Sequence, residues 1–577
     1  MGDEKAHPMW ITLLQIACLL YFISSVDCTI CPSGCTCENE ILKTNCSGAG
    51  LSVVPIQLNP ELHVMDISRN KITQLHYTFT FYEKLQYLNV SNNRVKVIGS
   101  GNFKTQRELM ILDLSNNLID ILYKSCFEGL LQLKELNLSN NRLEKIEQSA
   151  FKDLSNLTIL RMDGNQLDYL EEKTFKETPN LKALFLNDNS FIEIPLELTF
   201  LTHLRILSMS RNLIEIIEGE RMPNLQELHS LILDQNLIQN ITFKGFDNML
   251  NISHLDLSDN NLTTLPTLQL SKLHKLVYLR LNGNKFTKFT PVAFRGLFHL
   301  KFLMLNRLET LETIDSRAFV DNINLEKVSM DYNYKVKSLP SRLFHGNRKL
   351  RYLSIRYNAI RFLVASHFPL DQLEHLRVGG NPLECNCSMG WLWMILRESK
   401  PQNHENSSDY SDPFNDSKIL VRLENELKLD INDIICESPE EMHNRKLISA
   451  TESQMDCSMS WAVIISITLT TIIIVGAIFG LFFFLPRKSS NRRNTNWEPS
   501  RIIKSNYNTP PPLPQPQRIL PNIHDHQHEK YISMPQTVHE NQHSSFWDPY
   551  EQGSHSINCN IYEQLNDHRS RPHIVYV

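Results

Sequence analysis

An asparagine returns about every 24 residues across more than half of this 577-residue chain. It stands at 70, 93, 117, 141, 165, 189, 212, 236, 260, 284, 333, 358 and 381, with Leu308 filling the eleventh place in the series. Aliphatic residues keep fixed offsets around it: Leu62, Met65, Ile67, Asn70 and Ile72, then Leu85, Leu88, Val90, Asn93 and Val95. The same offsets recur at Leu109, Leu112, Leu114, Asn117 and Ile119, and at Leu133, Leu136, Leu138, Asn141 and Leu143. Fourteen such units are each too small to bury their own leucines, but stacked together they share one continuous core. A count of separate globular domains from length therefore does not apply.

The spacing L-x-x-L-x-L-x-x-N-x-L identifies these units as leucine-rich repeats. The fold class expected is an α/β leucine-rich repeat solenoid, curved, with parallel strands on its concave face. Alternate apolar residues at the fourth and sixth places point inward from a short strand. The asparagine amide serves backbone donors and acceptors where the chain leaves the strand, which an aliphatic side chain cannot do. Ala150-Phe151, Ala293-Phe294 and Ala318-Phe319 mark the returning convex segment. Places three, five, seven and eight stay open to solvent on the strand side. Leu308 and the 25-residue steps to Asn333 and Asn358 predict a locally widened turn; a loop protruding near residues 306–315 is the sharper alternative.

Two cysteine clusters bracket the repeats, Cys31, Cys35, Cys37 and Cys46 before them and Cys385, Cys387, Cys436 and Cys457 after them. A solenoid's ends expose core leucines unless something covers them, and secreted chains commonly staple small covers with disulfides. Spacing alone leaves three connectivities for each set of four. The clusters resemble the cysteine-rich flanking modules of extracellular leucine-rich repeat proteins. That resemblance implies the pairs Cys31–Cys37, Cys35–Cys46, Cys385–Cys436 and Cys387–Cys457. No histidines alternate with these cysteines, so no metal site is expected. Cys126, where another unit has Ala150, reads as a small buried apolar residue, and Cys28 is left over.

Met9 to Ile23 is uncharged and fits a secretory signal core. Trp461 to Leu485 carries no charge over 25 residues and is followed by Arg487, Lys488, Arg492 and Arg493. It is long enough to span a bilayer, and the basic flank places its carboxyl side in the cytosol. The organisation expected is a signal peptide (1–27), an amino-terminal cap (28–60), repeats (61–383), a carboxyl-terminal cap (384–458), a transmembrane helix (461–485) and a disordered cytoplasmic tail (486–577). The chain then sits in the plasma membrane as a single-pass type I protein with an extracellular amino terminus. Sequons at Asn89, Asn137, Asn156, Asn240, Asn251, Asn261, Asn406 and Asn415, with further ones at Asn45 and Asn386, are candidate glycosylation sites. Asn89 and Asn137 fall on the strand face, where sugar would shield the first repeats.

Open strand-face positions change character along the stack. Early units carry Asp66, Asp113 and Asp163; late units carry Arg280, Arg307, Arg356 and Arg377 with Tyr278, Phe302, Tyr332, Tyr352 and Tyr357. Tyrosine and arginine concentrate in protein interfaces, so repeats ten to thirteen form a candidate protein-binding patch; a solvated strand face with scattered rings is the plain alternative. The tail is poor in aliphatic residues and holds a proline-rich run containing Pro511 and Pro514. It also holds Tyr531 and Tyr562 in tyrosine motifs and a terminal Ile574-Val575-Tyr576-Val577, each a candidate adaptor ligand. A net charge of −5 argues against nucleic-acid binding, and no nucleophile, carboxylate pair or cofactor motif is present, so neither enzyme nor cofactor is expected.

Fourteen repeats between cysteine caps, one membrane segment and a short tail resemble the insect Capricious and Tartan family. The resemblance implies recognition between neighbouring cells, with the repeats binding an extracellular protein or a second copy of the chain. A regulator of another receptor in the same membrane is the alternative. An innate immune sensor is disfavoured because the tail lacks a signalling domain.

Overall fold

The computed structural model describes residues 31–398, 428–430, 433–455 and 461–484, with side chains of the last helix described at 465–479. Two compact units divide the chain, Met1–Ile478 and Phe479–Val577; in the second, description is limited to the helical residues Phe479–Phe484. The proposed signal segment, Cys28, the sequons at Asn406 and Asn415, Cys457, and the tail motifs at Pro511, Pro514, Tyr531, Tyr562, Val575 and Val577 lie outside the described residues.

Fourteen three-residue strands, from Val64–Asp66 to His375–Arg377, build one parallel sheet. Each pairs in register with the equivalent residues of the next unit, as in Val64 opposite Tyr87 and Tyr352 opposite His375. The middle residue of each strand points inward, so Met65, Leu88, Leu112 and Leu136 are fully buried while their neighbours are partly exposed. An antiparallel hairpin of Thr36–Glu38 and Lys43–Asn45 covers the first edge, its second strand continuing the parallel sheet. Lys428–Leu429 covers the other edge by pairing with His375 and Leu376. The repeat strands at both ends are thereby paired, and the sheet ends on strands of only three and two residues.

Disulfides Cys31–Cys37 and Cys35–Cys46 hold the first cover, and Cys385–Cys436 holds the second. Cys387 is also disulfide-bonded. In the second cover the helix Gly390–Glu398 sets Trp393 against the core, where its indole N–H donates to Ala450 O at 3.0 Å. Trp391 donates likewise to Leu363 O at 3.1 Å, tying the cover to the last repeats.

The asparagines carry the stacking. Asn212 donates through Nδ2 to Leu186 O at 2.9 Å in the preceding unit, and to Met209 O and Ser210 O in its own. Its Oδ1 accepts the Phe191 N–H at 3.1 Å. Asn93, Asn117, Asn141 and Asn236 repeat this set. One buried amide therefore satisfies both the turn it stands in and the unit behind it. At the long steps the pattern slips by two residues. Asn333 Oδ1 accepts from Leu308 N, and Asn358 Oδ1 from Asn333 N, instead of from the position two residues further on. This slip is the widened turn. Leu308 and Leu311 are buried and Thr313–Ile314 pairs with Lys288–Phe289, so no loop protrudes between 306 and 315.

A phenylalanine spine lines the opposite side. Phe79, Phe103, Phe127, Phe151 and Phe175 stack with centroids 5.7, 6.4, 6.2 and 5.8 Å apart, and Phe294, Phe319 and Phe344 at 5.5 Å. Neighbouring strands lie only about 4.8 Å apart. Each unit is thus wider on its phenylalanine side than on its strand side, which bends the stack with the strands innermost. A second set of amides serves the spine: Gln106 donates to Tyr82 O, Asn322 to Phe294 O and Asn347 to Phe319 O.

Trp461–Phe484 is a continuous helix of 24 residues. Among the described residues, no helix is long and apolar enough to cross a membrane, so the transmembrane helix expected at 461–485 is not shown.

Two outcomes test this packing. Asn212→Ala strands the Phe191 N–H and takes one of two donors from Leu186 O, Met209 O and Ser210 O, which keep Asn189, Asn236 and the Asp188 N–H. The opening free energy read by hydrogen exchange at Phe191 should therefore fall by about 1–3 kcal/mol. Cys126 is fully buried and burial pushes its thiol well above the usual range, so iodoacetamide should label it only after denaturation.

Candidate functional site

Parallel, in-register pairing turns each repeat position into a row running across the strands. At the third position the row reads His254, Tyr278, Phe302, Lys327, Tyr352 and His375, and Lys428 of the carboxyl-terminal cover extends it. In the earlier units the same row holds residues such as Val64, Ile111, Ile159, Ala183 and Ile206. The late rings touch one another: His254–Tyr278 and Tyr278–Phe302 centroids lie 5.9 Å apart, and Tyr352–His375 5.7 Å. Cations flank Tyr352 from both neighbouring strands, Lys327 Nζ at 4.5 Å and Arg377 Cζ at 5.5 Å from its ring centroid. This is a solvent-facing aromatic and cationic surface.

A second cluster lies at the eighth position. There the backbone is left-handed in every repeat, from Arg69 (φ 55°) through Asn92, Asn116 and Asn140 to Tyr357 (φ 53°) and Gly380. Asparagine and glycine tolerate that conformation, whereas a bulky residue carries a cost of about 1–2 kcal/mol. Tyr332 and Tyr357 nevertheless occupy it, stacked 4.8 Å apart. Gly380 makes room for them, because a β-carbon there would run into the Tyr357 ring.

The fifth and seventh positions show why the two ends of the face differ. In early units Asp66, Asn89, Asp113 and Asn137 at position five accept the N–H two residues on, at 2.8–3.1 Å. Position seven takes over in the middle units, where Asp163 Oδ1 accepts Asn187 N and Asn187 Oδ1 accepts Ser210 N, and again in the late ones, where Asn282 Oδ1 accepts Asn306 N, Asn306 accepts Asp331 N, and Asp331 accepts Arg356 N, at 2.7–3.0 Å. Between them Asp256 caps its own turn from position five. At the last unit Asp430 supplies the oxygen, and Arg377 stands exposed at position five.

The repeat segments 83–143, 131–191, 226–286 and 323–383 match the family described as Leucine rich repeat. This chain is a leucine-rich repeat protein. It is similar to oligodendrocyte-myelin glycoprotein of Mus musculus, 36% identical over 78 residues that span 14% of this chain and 18% of the relative. It is also similar to leucine-rich repeat-containing protein 3B of Homo sapiens, 34% identical over 104 residues, 17% of this chain and 40% of the relative. The chain thus covers less than half the length of these relatives. Among solved structures, the glycosylated Toll–Spatzle complex of Drosophila aligns at 20% identity with a TM-score of 0.49, covering 69% of this chain and 62% of that one.

Within this leucine-rich repeat protein several candidate contacts are already engaged. Arg356 pairs with Asp430 at 3.4 Å and closely with Asp433, clamping the carboxyl-terminal cover to the thirteenth repeat. Asp430 also accepts the N–H groups of Val378 and Gly379, although burial pushes its carboxyl up. Arg356 is therefore a support of the site and an unsuitable probe of ligand contact. Arg307 pairs with Asp259 at 3.0 Å; Arg280 bonds Tyr278 Oη at 2.6 Å and pairs with Asp256 at 3.5 Å. Of the early acids, Asp66 and Asp113 cap their own turns, and Asp163 accepts Asn187 N.

The sequons divide by side-chain use: Asn89 and Asn137 accept backbone N–H groups on the strand face, while Asn156 and Asn251 donate to Leu131 O and Gln226 O away from it. Asn240 is exposed and Asn261 partly so. Lys327, His254 and His375 escaped the sequence reading although they share the third-position phase. Lys428 and the two aspartates had no periodic signal to reveal them.

Among the described residues, no group of three or more His, Cys, Asp or Glu side chains is placed to hold a metal ion. A recess beside Leu262–Gln269 has a volume near 220 Å³, below the roughly 300–1,000 Å³ of small-molecule sites. Arg356→Ala should leave Asp430 buried without its partner, costing about 1–3 kcal/mol and speeding hydrogen exchange across residues 433–455.

Proposed function

We propose that this chain is a single-pass type I cell-surface recognition receptor whose strand face, over its last five repeats, binds an extracellular protein. The observation that carries this reading is the late row of touching rings beside cations, in a position that earlier repeats fill largely with aliphatic residues. Tyr332 and Tyr357 support it, since their rings stack 4.8 Å apart at the eighth position of neighbouring late repeats and add aromatic surface to the same face. Disulfide-held covers fit an oxidising, extracellular compartment.

The anchoring part rests on the helix Trp461–Phe484 and the uncharged stretch that contains it. Ile472, Ile473 and Phe479 on this helix are each more than 60% exposed. The Thr468, Thr470 and Thr471 hydroxyls turn back onto carbonyls three or four residues earlier, leaving their donors satisfied without water. Adaptor recruitment by the tail motifs at Pro511, Pro514, Tyr531, Tyr562, Val575 and Val577 belongs to the same proposal.

Cells displaying the full chain should aggregate with partner-bearing cells. Tyr278→Ala with Phe302→Ala should reduce that aggregation about tenfold or more at unchanged surface level. Tyr332→Asn should raise stability by about 1 kcal/mol while weakening contact, read by thermal melting and by aggregation. Undiminished aggregation in both variants would end the proposal; co-precipitation with a receptor on the same cell, without aggregation, would point to modulation in cis.

A further inference from the structure

We infer that the partner segment docking on the late strand face is an extended, acidic peptide that alternates carboxylates with apolar or aromatic side chains. This rests on the reading above that the late face binds a protein, and it names the chemistry of that protein. Three cations lie within four adjacent strands: Lys327, Arg377 and Lys428 surround Tyr352 and His375. Nearby charges at the rim cancel in pairs, Arg351 with Glu374 and Lys301 with Glu326 at 3.0 Å. Arg356 is spent on Asp430 and Asp433. Among the described residues, neither Arg377 nor Lys428 has a carboxylate at ion-pair distance. At Arg377 and Lys428 the row therefore presents positive charge that no described carboxylate neutralises at ion-pair distance.

The rings shape that charge. A guanidinium resting against an aromatic face, as Arg377 rests against Tyr352, keeps in-plane N–H donors available for a carboxylate. Tyr278 and Phe302 continue the row as an apolar strip with 5.9 Å between centroids. In an extended peptide, side chains on one face recur about every 6.8 Å, which suits one ring contact followed by one charge contact along the row. A sulfated polysaccharide would match the cations but gain little from Phe302, and it favours longer unbroken stretches of Lys and Arg. Lysine-bearing partners would meet repulsion at Lys327, Arg377 and Lys428.

The test uses the purified full chain in mild detergent and three fluorescent probes: a random glutamate–tyrosine copolymer, a lysine–tyrosine copolymer, and heparin oligosaccharide. Anisotropy should report binding of the glutamate–tyrosine copolymer, weakened at least about tenfold by Arg377→Glu with Lys428→Glu. Binding should also fall as salt rises from about 0.05 to 0.5 M. Arg377→Gln with Lys428→Gln, giving a smaller loss, guards against misfolding of the charge-reversed variant. Equal binding of the lysine copolymer, indifference to charge reversal, or capture of heparin alone would overturn the inference. The same charge variants enter the aggregation assay. If Tyr278→Ala with Phe302→Ala abolishes aggregation and charge reversal does not, the receptor reading stands and the acidic partner falls; if neither matters, both fall.

Discussion

A buried amide, repeated along the stack, is what makes this architecture possible. Every unit leaves its strand through a turn whose carbonyls and N–H groups are shut away from water, and leaving them unpaired would cost about 1–3 kcal/mol each. Asn212 and its equivalents meet that demand and reach into the unit behind. Stacking and turn formation are therefore one event. The backbone fixed in this way includes a left-handed residue at position eight in all fourteen units, and the side chains offered at position three project from a frame that does not depend on their identity.

The repeat architecture was legible because its causes are local. Offsets around Asn70 or Asn141 name the inward residues, and Ala150-Phe151 names the spine, without reference to the rest of the chain. The widened turn near Leu308 could be anticipated from the 25-residue steps, although the two-residue slip in hydrogen bonding could not. Gln106, Asn322 and Asn347 were invisible as a set, since they serve the spine only where particular units need it. The Arg356–Asp433 contact joins residues 77 apart in sequence, one in the thirteenth repeat and one in the cover, and no period reports it. The arginines illustrate the same boundary. Composition placed Arg280, Arg356 and Arg377 together on one face, but only the packing distinguishes the clamp from the exposed donors.

Curvature follows from the same arithmetic of spacing. Strands pair at about 4.8 Å, while spine rings stand 5.5–6.4 Å apart. The hydrogen-bonded side cannot stretch to match, because the backbone ladder is stiff, so the difference accumulates as bend. Large spine residues thus help make the strand side the inner one and draw residues from successive units toward a common partner.

What remains is why the rings and exposed arginines gather at one end. At the early end the position-five side chain must cap its own turn, which confines it to Asp or Asn and commits its oxygen to the backbone. At Asp163 and Asn187, and again from Asn282 onward, the capping oxygen is supplied from position seven of the preceding unit, and for the last unit by Asp430 of the cover. Relieved of that duty, position five can carry Phe185, Met304 or Arg377. The carboxyl-terminal cover is then more than a seal: its aspartates finish the last turn and anchor Arg356, while its Lys428 extends the third-position row. A face that outsources its backbone chemistry in this way can vary its exposed side chains without unravelling the turn beneath them, which is the property that a recognition surface requires.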